Sequence, residues 1–249
     1  MNIEKNSEDL LHAQHQAAEN EKQSRQQISS MQEDQQLSNA ELDDLKIIYA
    51  GTKDYQALNE YRELRTKLLN RCDHKNFVCM ISSITPGAGS THISINLAAS
   101  IALDLSKTAL IIDCNTHNKT SPNYFKIKSE FGLTNFLGQD TDDIEDIIYQ
   151  SGIPRVRFIP IGIKKESAAE YFSSEKMELF IQRLKERYPD RFIILDTPPI
   201  ERHAESQILV SLCDFTLLVT RYAKASKDQI QAAIDLVGEE KLAGIIFNN

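Results

Sequence analysis

The chain has 249 residues, of which 41% are hydrophobic and 26% are charged, and its formal net charge is −8. The length suits one substantial hydrophobic core with residues left over for an arm. The negative charge argues against a nucleic-acid partner, because nucleic-acid binding calls for a basic face. No apolar run approaches the roughly 20 residues of a membrane span, and the first residues lack the apolar centre of a signal peptide. The four cysteines show no CxxC spacing, which is typical of reduced core cysteines in a cytosolic protein.

The first segment, residues 1–37, differs in composition from the rest of the chain. It contains eight glutamines between Gln14 and Gln36 and almost no large apolar residues. Such a sequence buries too little apolar surface to offset the entropy lost on ordering. We therefore expect a polar arm that is mobile in isolation and helical at most in part. His12 and His15 could share a helix face, but no further ligand is near them, so a solvated arm is the default interpretation.

Two helices are predicted in the next segment, an N-terminal extension over residues 38–76. Ser38 and Glu41 form a capping-box pattern at the start of the first helix, and Gly51 is expected to end it. An apolar stripe predicts the second helix over residues 54–70.

From residue 77 onward, short β-rich runs alternate with helical periods. Several of these runs are apolar on both faces, as expected for parallel strands that are covered by helices. The pattern predicts a doubly wound, mainly parallel α/β domain over residues 77–249. The predicted strands are 77–82, 108–113, 155–161, 191–196, 215–220 and 243–247, and the predicted helices include 91–105, 142–150, 174–188 and 226–237.

A glycine-rich loop, PGAGST at residues 86–91, follows the first predicted strand and precedes a predicted helix. This order of strand, glycine turn and helix is the context of a phosphate-binding loop. Glycines let backbone N–H groups approach a phosphate, and the helix N-terminus adds a favourable dipole. The residues of the candidate nucleotide-binding loop are Pro86, Gly87, Ala88, Gly89, Ser90, Thr91 and His92.

Two aspartates close predicted strands near this loop: Asp113 ends ALIID and Asp196 ends FIILD. Ligands of such sheets bind at the carboxyl ends of the strands. The oxygens of Thr91, Asp113 and Asp196 suit Mg²⁺, bound directly or through water. Each aspartate taken singly could be a turn residue at a strand end. Together with the loop they indicate descent from a nucleotide-binding domain.

From about residue 55 onward, six segments follow one another: EYRELRTKLL, PGAGSTHISINLA, ALIIDCN, GLTNFLG, FIPIGIKKESAAEYFSSEKM and ERYPDRFIILDTPPI. Their order resembles that of the bacterial tyrosine kinases of capsular and exopolysaccharide biosynthesis, which belong to the Mrp/MinD/ParA-like P-loop ATPases. The last matching segment is most similar to the branch encoded with exosortase-linked exopolysaccharide clusters. The resemblance implies ATP and Mg²⁺ as cofactors, with Asp113 and Asp196 as catalytic carboxylates.

Four departures from the family pattern point to lost catalysis. Ser90 stands where the family's Walker A loop has lysine, and Asn115 replaces the second carboxylate of its D-x-D motif. A hydroxyl cannot replace an ammonium in phosphoryl transfer, and an amide cannot accept the proton of an attacking tyrosine. The family's tyrosine-rich tail is missing as well. The self-association motif E-x-x-R-x-x-R begins with Asn59 and retains Arg62 and Arg65, a pair that could also be an ordinary solvated face.

The residues and the resemblance together predict a degenerate, pseudokinase-like P-loop protein that acts as a cytosolic regulator or scaffold of exopolysaccharide or capsule biosynthesis and export. ATP and Mg²⁺ binding would be weak or lost. The expected partner is a membrane-anchored polysaccharide chain-length (co-polymerase) protein or an active kinase paralogue, which would recruit the chain to the inner face of the cell membrane. Self-association is expected to be weak.

The alternative is an active ATP-dependent protein tyrosine kinase or ATPase in which another cation replaces the missing lysine. An arginine from a neighbouring subunit could supply this charge. A ParA-like positioning switch is disfavoured, because its lysine-containing loop is missing too. The candidate cations within the chain are His92, His117, Lys119 and Arg155.

Overall fold

The apolar runs after residue 77 assemble into one seven-stranded sheet with the strand order β3-β4-β2-β5-β1-β6-β7. The computed structural model describes residues 24–26, 28–29, 31, 33–117, 124–125, 127–163 and 168–248. All neighbouring strands are parallel except β3 and β4, which are antiparallel. The strands are β1 (Val78–Ser83), β2 (Thr108–Asp113), β3 (Tyr149–Gln150), β4 (Val156–Ile159), β5 (Arg191–Thr197), β6 (Phe215–Thr220) and β7 (Leu242–Phe247).

Helices cover both faces of the sheet, which explains why the central strands are apolar throughout. Every residue of β1, β2, β5 and β6 is buried. Alternate residues of β1 belong to different core clusters: Cys79 and Ile81 pack on one face, and Val78 and Met80 pack on the other. The predicted doubly wound α/β fold is confirmed. The helices are α1 (Asn39–Asp44), α2 (Tyr55–Arg71), α3 (Ser90–Ala102), α4 (Leu133–Leu137), α5 (Ala168–Phe172), α6 (Glu175–Arg187), α7 (Ala204–Val210) and α8 (Lys227–Val237).

The first predicted helix begins where its capping box indicates but ends earlier than predicted. Ser38 Oγ accepts a hydrogen bond from Glu41 N–H, and the Glu41 carboxylate accepts one from Ser38 N–H. The helix stops at Asp44 rather than near Gly51. The reason lies in α3, because the Asn96 side chain accepts a hydrogen bond from the Ile48 N–H at 2.8 Å and so replaces a helical partner.

The predicted helix over residues 142–150 is wrong. A short 3₁₀ helix over Ile144–Ile147 is followed by the edge strand β3, which pairs antiparallel with β4. The isoleucines at helical spacing suggested an amphipathic helix, but tertiary pairing overrides that local pattern. The buried Ile147 packs in the core instead.

Contact with the α/β domain begins before Ser38, within the last residues of the predicted arm. Leu37 N–H donates a hydrogen bond to the Gly152 carbonyl at 2.8 Å. The Glu33 carboxylate accepts a hydrogen bond from Arg155 N–H at 2.7 Å. Residues 33–37 thus contact the edge of the sheet, whereas most of the predicted arm lies outside the described residues. In the part of the chain that is described, no helix is both long enough and apolar enough to cross a membrane.

Candidate nucleotide site

A cleft of about 480 Å³ opens at the carboxyl ends of β1, β2 and β5. Parallel strands end at the same edge of the sheet, so the loops that follow them meet there. Asn115 and His117, from the loop after β2, line the cleft together with Thr197 and Arg202 from the end of β5 and the loop after it. The predicted loop also contributes to the lining through Pro86, Gly87, Gly89, Ser90, Thr91 and His92, whereas Ala88 is buried.

The glycine-rich loop has the backbone conformation that an anion-binding loop requires. Gly87 and Gly89 adopt positive φ values of 74° and 93°, which favour glycine. Gly89 precedes α3 without a side-chain cap, so the first N–H groups of the helix have no capping side chain. The Asn248 side chain donates a hydrogen bond to the Ala88 carbonyl at 2.8 Å and braces the loop. A Cβ atom at Gly89 would lie 2.3 Å from Asn248 Nδ2, so any other residue there would displace the Asn248 side chain from the loop.

Asp196 is the centre of a buried network of hydroxyl groups below this loop. Its side chain accepts hydrogen bonds from Thr91 Oγ1 at 2.7 Å and from Ser94 Oγ at 3.1 Å, and the residue is 1% exposed. Because the Thr91 hydroxyl donates its hydrogen bond to Asp196, the lone pairs of its oxygen stay available for a cation. The structure therefore brings Thr91 and Asp196 together as the sequence predicts.

Asp113 and Asn115 occupy a tight turn after β2. Asp113 is fully buried and is the register partner of Asp196 on β5. Its Oδ1 accepts a hydrogen bond from Asn115 N–H at 2.9 Å, and Asn115 Oδ1 accepts one from His117 N–H at 3.1 Å. An aspartate at position 115 could accept the same bond from His117. The amide therefore leaves the turn intact and removes only a proton acceptor.

The described residues fit Mg²⁺ together with a phosphate group, except for the charge of the loop. Thr91, Asp113 and Asp196 supply the hard oxygens that Mg²⁺ prefers, and the glycine loop supplies N–H groups for phosphate. When bound, the ion would neutralise phosphate oxygens. Ser90 opens α3 and lines the cleft, at the position where the resemblance implies a lysine. Among the described residues that line the cleft there is no lysine, and Arg202 provides a guanidinium.

Arg155, one of the candidate cations, does not lie near the loop, so it is not the substitute for the missing lysine. Its guanidinium donates to the Ala102 carbonyl at the C-terminal end of α3, with Nε at 2.9 Å, while the phosphate loop adjoins the N-terminal end of that helix. Arg155 immediately precedes β4, and in a parallel sheet this places it at the edge opposite the cleft. Lys119, another candidate, lies outside the described residues.

His92 and His117 do line the cleft, but neither is a ready substitute for lysine. Burial, and then the nearby Lys46, lower the pKa of His92, which favours the neutral imidazole. His117 Nε2 lies 3.2 Å from Glu205 Oε1, so any charge on this ring is compensated by the carboxylate. Arg202 has no signal in the sequence, because the resemblance implies no basic residue in the loop after β5.

The three residues of the self-association motif lie on α2 and differ in environment. Asn59 and Arg62 are exposed. Arg65 is half-buried, and its Nη1 donates a hydrogen bond to the Ser100 carbonyl on α3 at 2.7 Å. Burial lowers the pKa of Arg65 from its ordinary value. Arg65 therefore ties α2 to α3 within the chain, and Arg62 is the arginine of the pair that faces solvent.

Comparisons with known proteins agree with this geometry. Residues 78–242 match the AAA_31 family of AAA domains. The tyrosine-protein kinase CpsD of Streptococcus agalactiae is 28% identical over 207 residues, which cover 82% of this chain and 89% of the relative. The CpsD of Streptococcus pneumoniae is 31% identical over 175 residues, which cover 69% of this chain and 75% of the relative.

Among solved structures, the kinase domain of the Escherichia coli tyrosine kinase ETK superposes with a TM-score of 0.71 at 24% identity, and the match covers 77% of this chain and 75% of that domain. This likeness shows the fold, and the sequence matches show the family. The chain therefore belongs to the bacterial tyrosine kinases, a family of P-loop ATPases with an AAA domain.

Proposed function

We propose that this chain is a catalytically degenerate bacterial tyrosine kinase that regulates or scaffolds exopolysaccharide or capsule biosynthesis and export. The observation that carries the proposal is the combination of an intact loop backbone with Ser90 in the cleft. Phosphoryl transfer depends on electrostatic stabilisation of the migrating phosphoryl group. A serine hydroxyl cannot supply that stabilisation.

The missing charge has a predictable cost for nucleotide affinity. Removing a desolvated cationic partner of a phosphate typically costs on the order of 2–5 kcal/mol. Each ~1.4 kcal/mol is a factor of ten, so the affinity falls by roughly 30-fold or more. Turnover suffers further, since Asn115 cannot accept the proton of a tyrosine hydroxyl. Some phosphate affinity remains, because Gly87, Gly89 and the Thr91–Asp196 pair keep their conformation.

A protein of this kind would act through its partners. The family resemblance favours a membrane-anchored polysaccharide chain-length protein or an active kinase paralogue. Such a partner would hold the chain at the inner face of the cell membrane. The net charge of −8 supports a protein partner over direct binding to an acidic lipid surface or to nucleic acid.

One observation favours the alternative of an active ATP-dependent kinase or ATPase. Arg202 lies in the lining of the same cleft as Ser90. A guanidinium is permanently charged and binds phosphate well, so Arg202 could take over the charge of the missing lysine. The two hypotheses then differ in how much Arg202 contributes to ATP binding.

Titration calorimetry with ATP and Mg²⁺ separates them. For the degenerate protein we expect weak or no binding, little effect of Arg202→Ala, and a gain of about 30-fold or more in Ser90→Lys. Ser90→Met is the matched control, because it adds length without charge and should gain nothing. Tight binding by the unaltered chain that Arg202→Ala abolishes would overturn the proposal in favour of the active enzyme.

A further inference from the structure

Three side chains with metal-binding atoms meet at the wall of the cleft. His117 belongs to the loop after β2, His203 immediately precedes α7, and Glu205 lies in the first turn of α7. His117 Nε2 is 3.2 Å from Glu205 Oε1, and the ring centroids of the two histidines are 4.1 Å apart. One ligand atom from each residue can be chosen so that all three lie within 4.8 Å of one another.

The 3.2 Å separation between His117 and Glu205 matches that of two ligand atoms on one zinc ion, and the other separations are at most 4.8 Å. Zinc binds imidazole nitrogen and carboxylate oxygen at about 2.0–2.2 Å in tetrahedral geometry, so neighbouring ligand atoms are roughly 3.3 Å apart. The His117 side chain is 49% exposed, so its ring has room to adjust toward His203. An ordinary ion pair between His117 and Glu205 accounts for only one of these contacts; the tilted rings of His117 and His203, at an interplanar angle of 35°, add the third potential ligand.

We propose that His117, His203 and Glu205 bind one Zn²⁺ ion. Two histidines and one glutamate form a ligand set that leaves a fourth position open in tetrahedral zinc sites. Both histidines line the cleft, so the proposed ion would lie at its wall. The site differs in chemistry from Thr91, Asp113 and Asp196, whose oxygens suit Mg²⁺, because imidazole nitrogen selects transition metals.

The ion would change the electrostatics of the cleft. A divalent cation at this wall adds positive charge to a cleft whose loop carries Ser90 in place of lysine. The class of ligand expected at the open position is an oxyanion such as phosphate. Zinc binding by these three side chains does not depend on whether the chain is an active or a degenerate kinase.

A zinc-binding measurement on the purified, untagged chain tests the site. It is made without nucleotide, by competition with a chromogenic chelator. The experiment uses a His12→Asn/His15→Asn background, so that histidines of the arm cannot contribute. We expect one Zn²⁺ per chain, and affinity losses of about 100-fold or more for His117→Asn and His203→Asn. His74→Asn is the control, because it removes an exposed histidine remote from the cleft lining and should bind like the background.

Asparagine is a good N-cap, so His203→Asn should preserve the start of α7. Circular dichroism of the metal-free variants checks that they fold, and Glu205→Gln provides an independent variant of the third ligand with nearly the same shape. Absence of zinc binding in the background protein would overturn the proposal. Binding that survives all three substitutions in folded protein would overturn it equally.

Discussion

Asp196 is the residue around which the candidate site is organised. A buried carboxylate is costly unless donors compensate for its lost hydration. Here the donors are the hydroxyls of Thr91 and Ser94, both from the first turns of α3. The same contacts that satisfy Asp196 therefore fix the helix start behind the phosphate loop. The network is retained although Ser90 and Asn115 depart from the family pattern.

Thr91→Val should destabilise the protein by about 1–3 kcal/mol, because it removes a donor from a buried carboxylate and preserves side-chain shape. Urea unfolding followed by circular dichroism measures this change. Thr66→Val is the matched control: the hydroxyl of the exposed Thr66 donates only to a carbonyl of its own helix, so its loss should change stability by less than about 0.5 kcal/mol. Equal losses in both variants would contradict the role assigned to Asp196.

The sequence was sufficient to predict the loop and the two strand-end aspartates, because parallel strands bring their carboxyl ends together. It was not sufficient for His203, Glu205 or Arg202. These residues follow β5 in a loop and in the short helix α7, and a helix of seven residues leaves too weak a periodicity to detect. Their approach to the loop after β2 depends on tertiary packing that no local pattern encodes.

The helix α3 links the phosphate loop to the opposite edge of the sheet. Its N-terminus follows Gly89. Two carbonyls near its C-terminus accept hydrogen bonds from arginines. Arg65 donates to the Ser100 carbonyl, and Arg155 donates to the Ala102 carbonyl. Positive charge at a helix C-terminus is favourable because it opposes the negative end of the dipole. The two arginines thus stabilise the element that carries the candidate site.

Arg65→Ala should lower the free energy of unfolding by about 1–3 kcal/mol, since a charged hydrogen bond between α2 and α3 is lost. Arg62→Ala serves as the comparison, because Arg62 is on the same helix and exposed, and we expect it to change stability by less than about 0.5 kcal/mol. Thermal or urea unfolding of both variants gives the answer. If Arg62→Ala proves the more destabilising, the assignment of Arg65 as the internal contact is refuted.

Restoring the acidic residue of the self-association motif should strengthen assembly. Asn59 and Arg62 are both exposed on α2, so Asn59→Glu can supply a carboxylate to an arginine of a second copy. In sedimentation velocity we expect the unaltered chain to be a monomer or a weak oligomer and Asn59→Glu to shift toward larger species. Asn70→Glu adds the same charge at another exposed position of α2 and should not shift the distribution. A stable ring of the unaltered chain would contradict this prediction.

The elements themselves could be predicted where burial enforces a pattern. The sequence predicts the central strands because both of their faces are covered and therefore apolar. It predicts α2, α6 and α8 because each helix is long and is capped or periodic. The failures involve short or overridden elements. The segment over residues 142–150 has helical spacing but forms a short 3₁₀ helix and the edge strand β3, and the turn after α1 is set by a side chain of α3.

At the scale of the whole molecule, the proposal predicts that location depends on other proteins. In cells we expect the chain to fractionate with the membrane when the polysaccharide-export proteins are present, and to be released when they are deleted. Immunoblotting of membrane and soluble fractions measures this directly. An integral membrane protein of unrelated function is the control and should stay in the membrane fraction. Persistent membrane association after deletion of every export protein would show that recruitment has another cause.

The central claim is that the chemistry of the family has been lost while its fold has been kept. Phosphotyrosine formation by the purified chain, with ATP, Mg²⁺ and an added tyrosine peptide, tests this most directly. We predict none from the unaltered protein, whereas Ser90→Lys/Asn115→Asp restores the missing charge and proton acceptor and is expected to regain measurable transfer. Robust Mg²⁺-dependent phosphotyrosine formation by the unaltered chain, abolished by Asp196→Ala, would contradict the account.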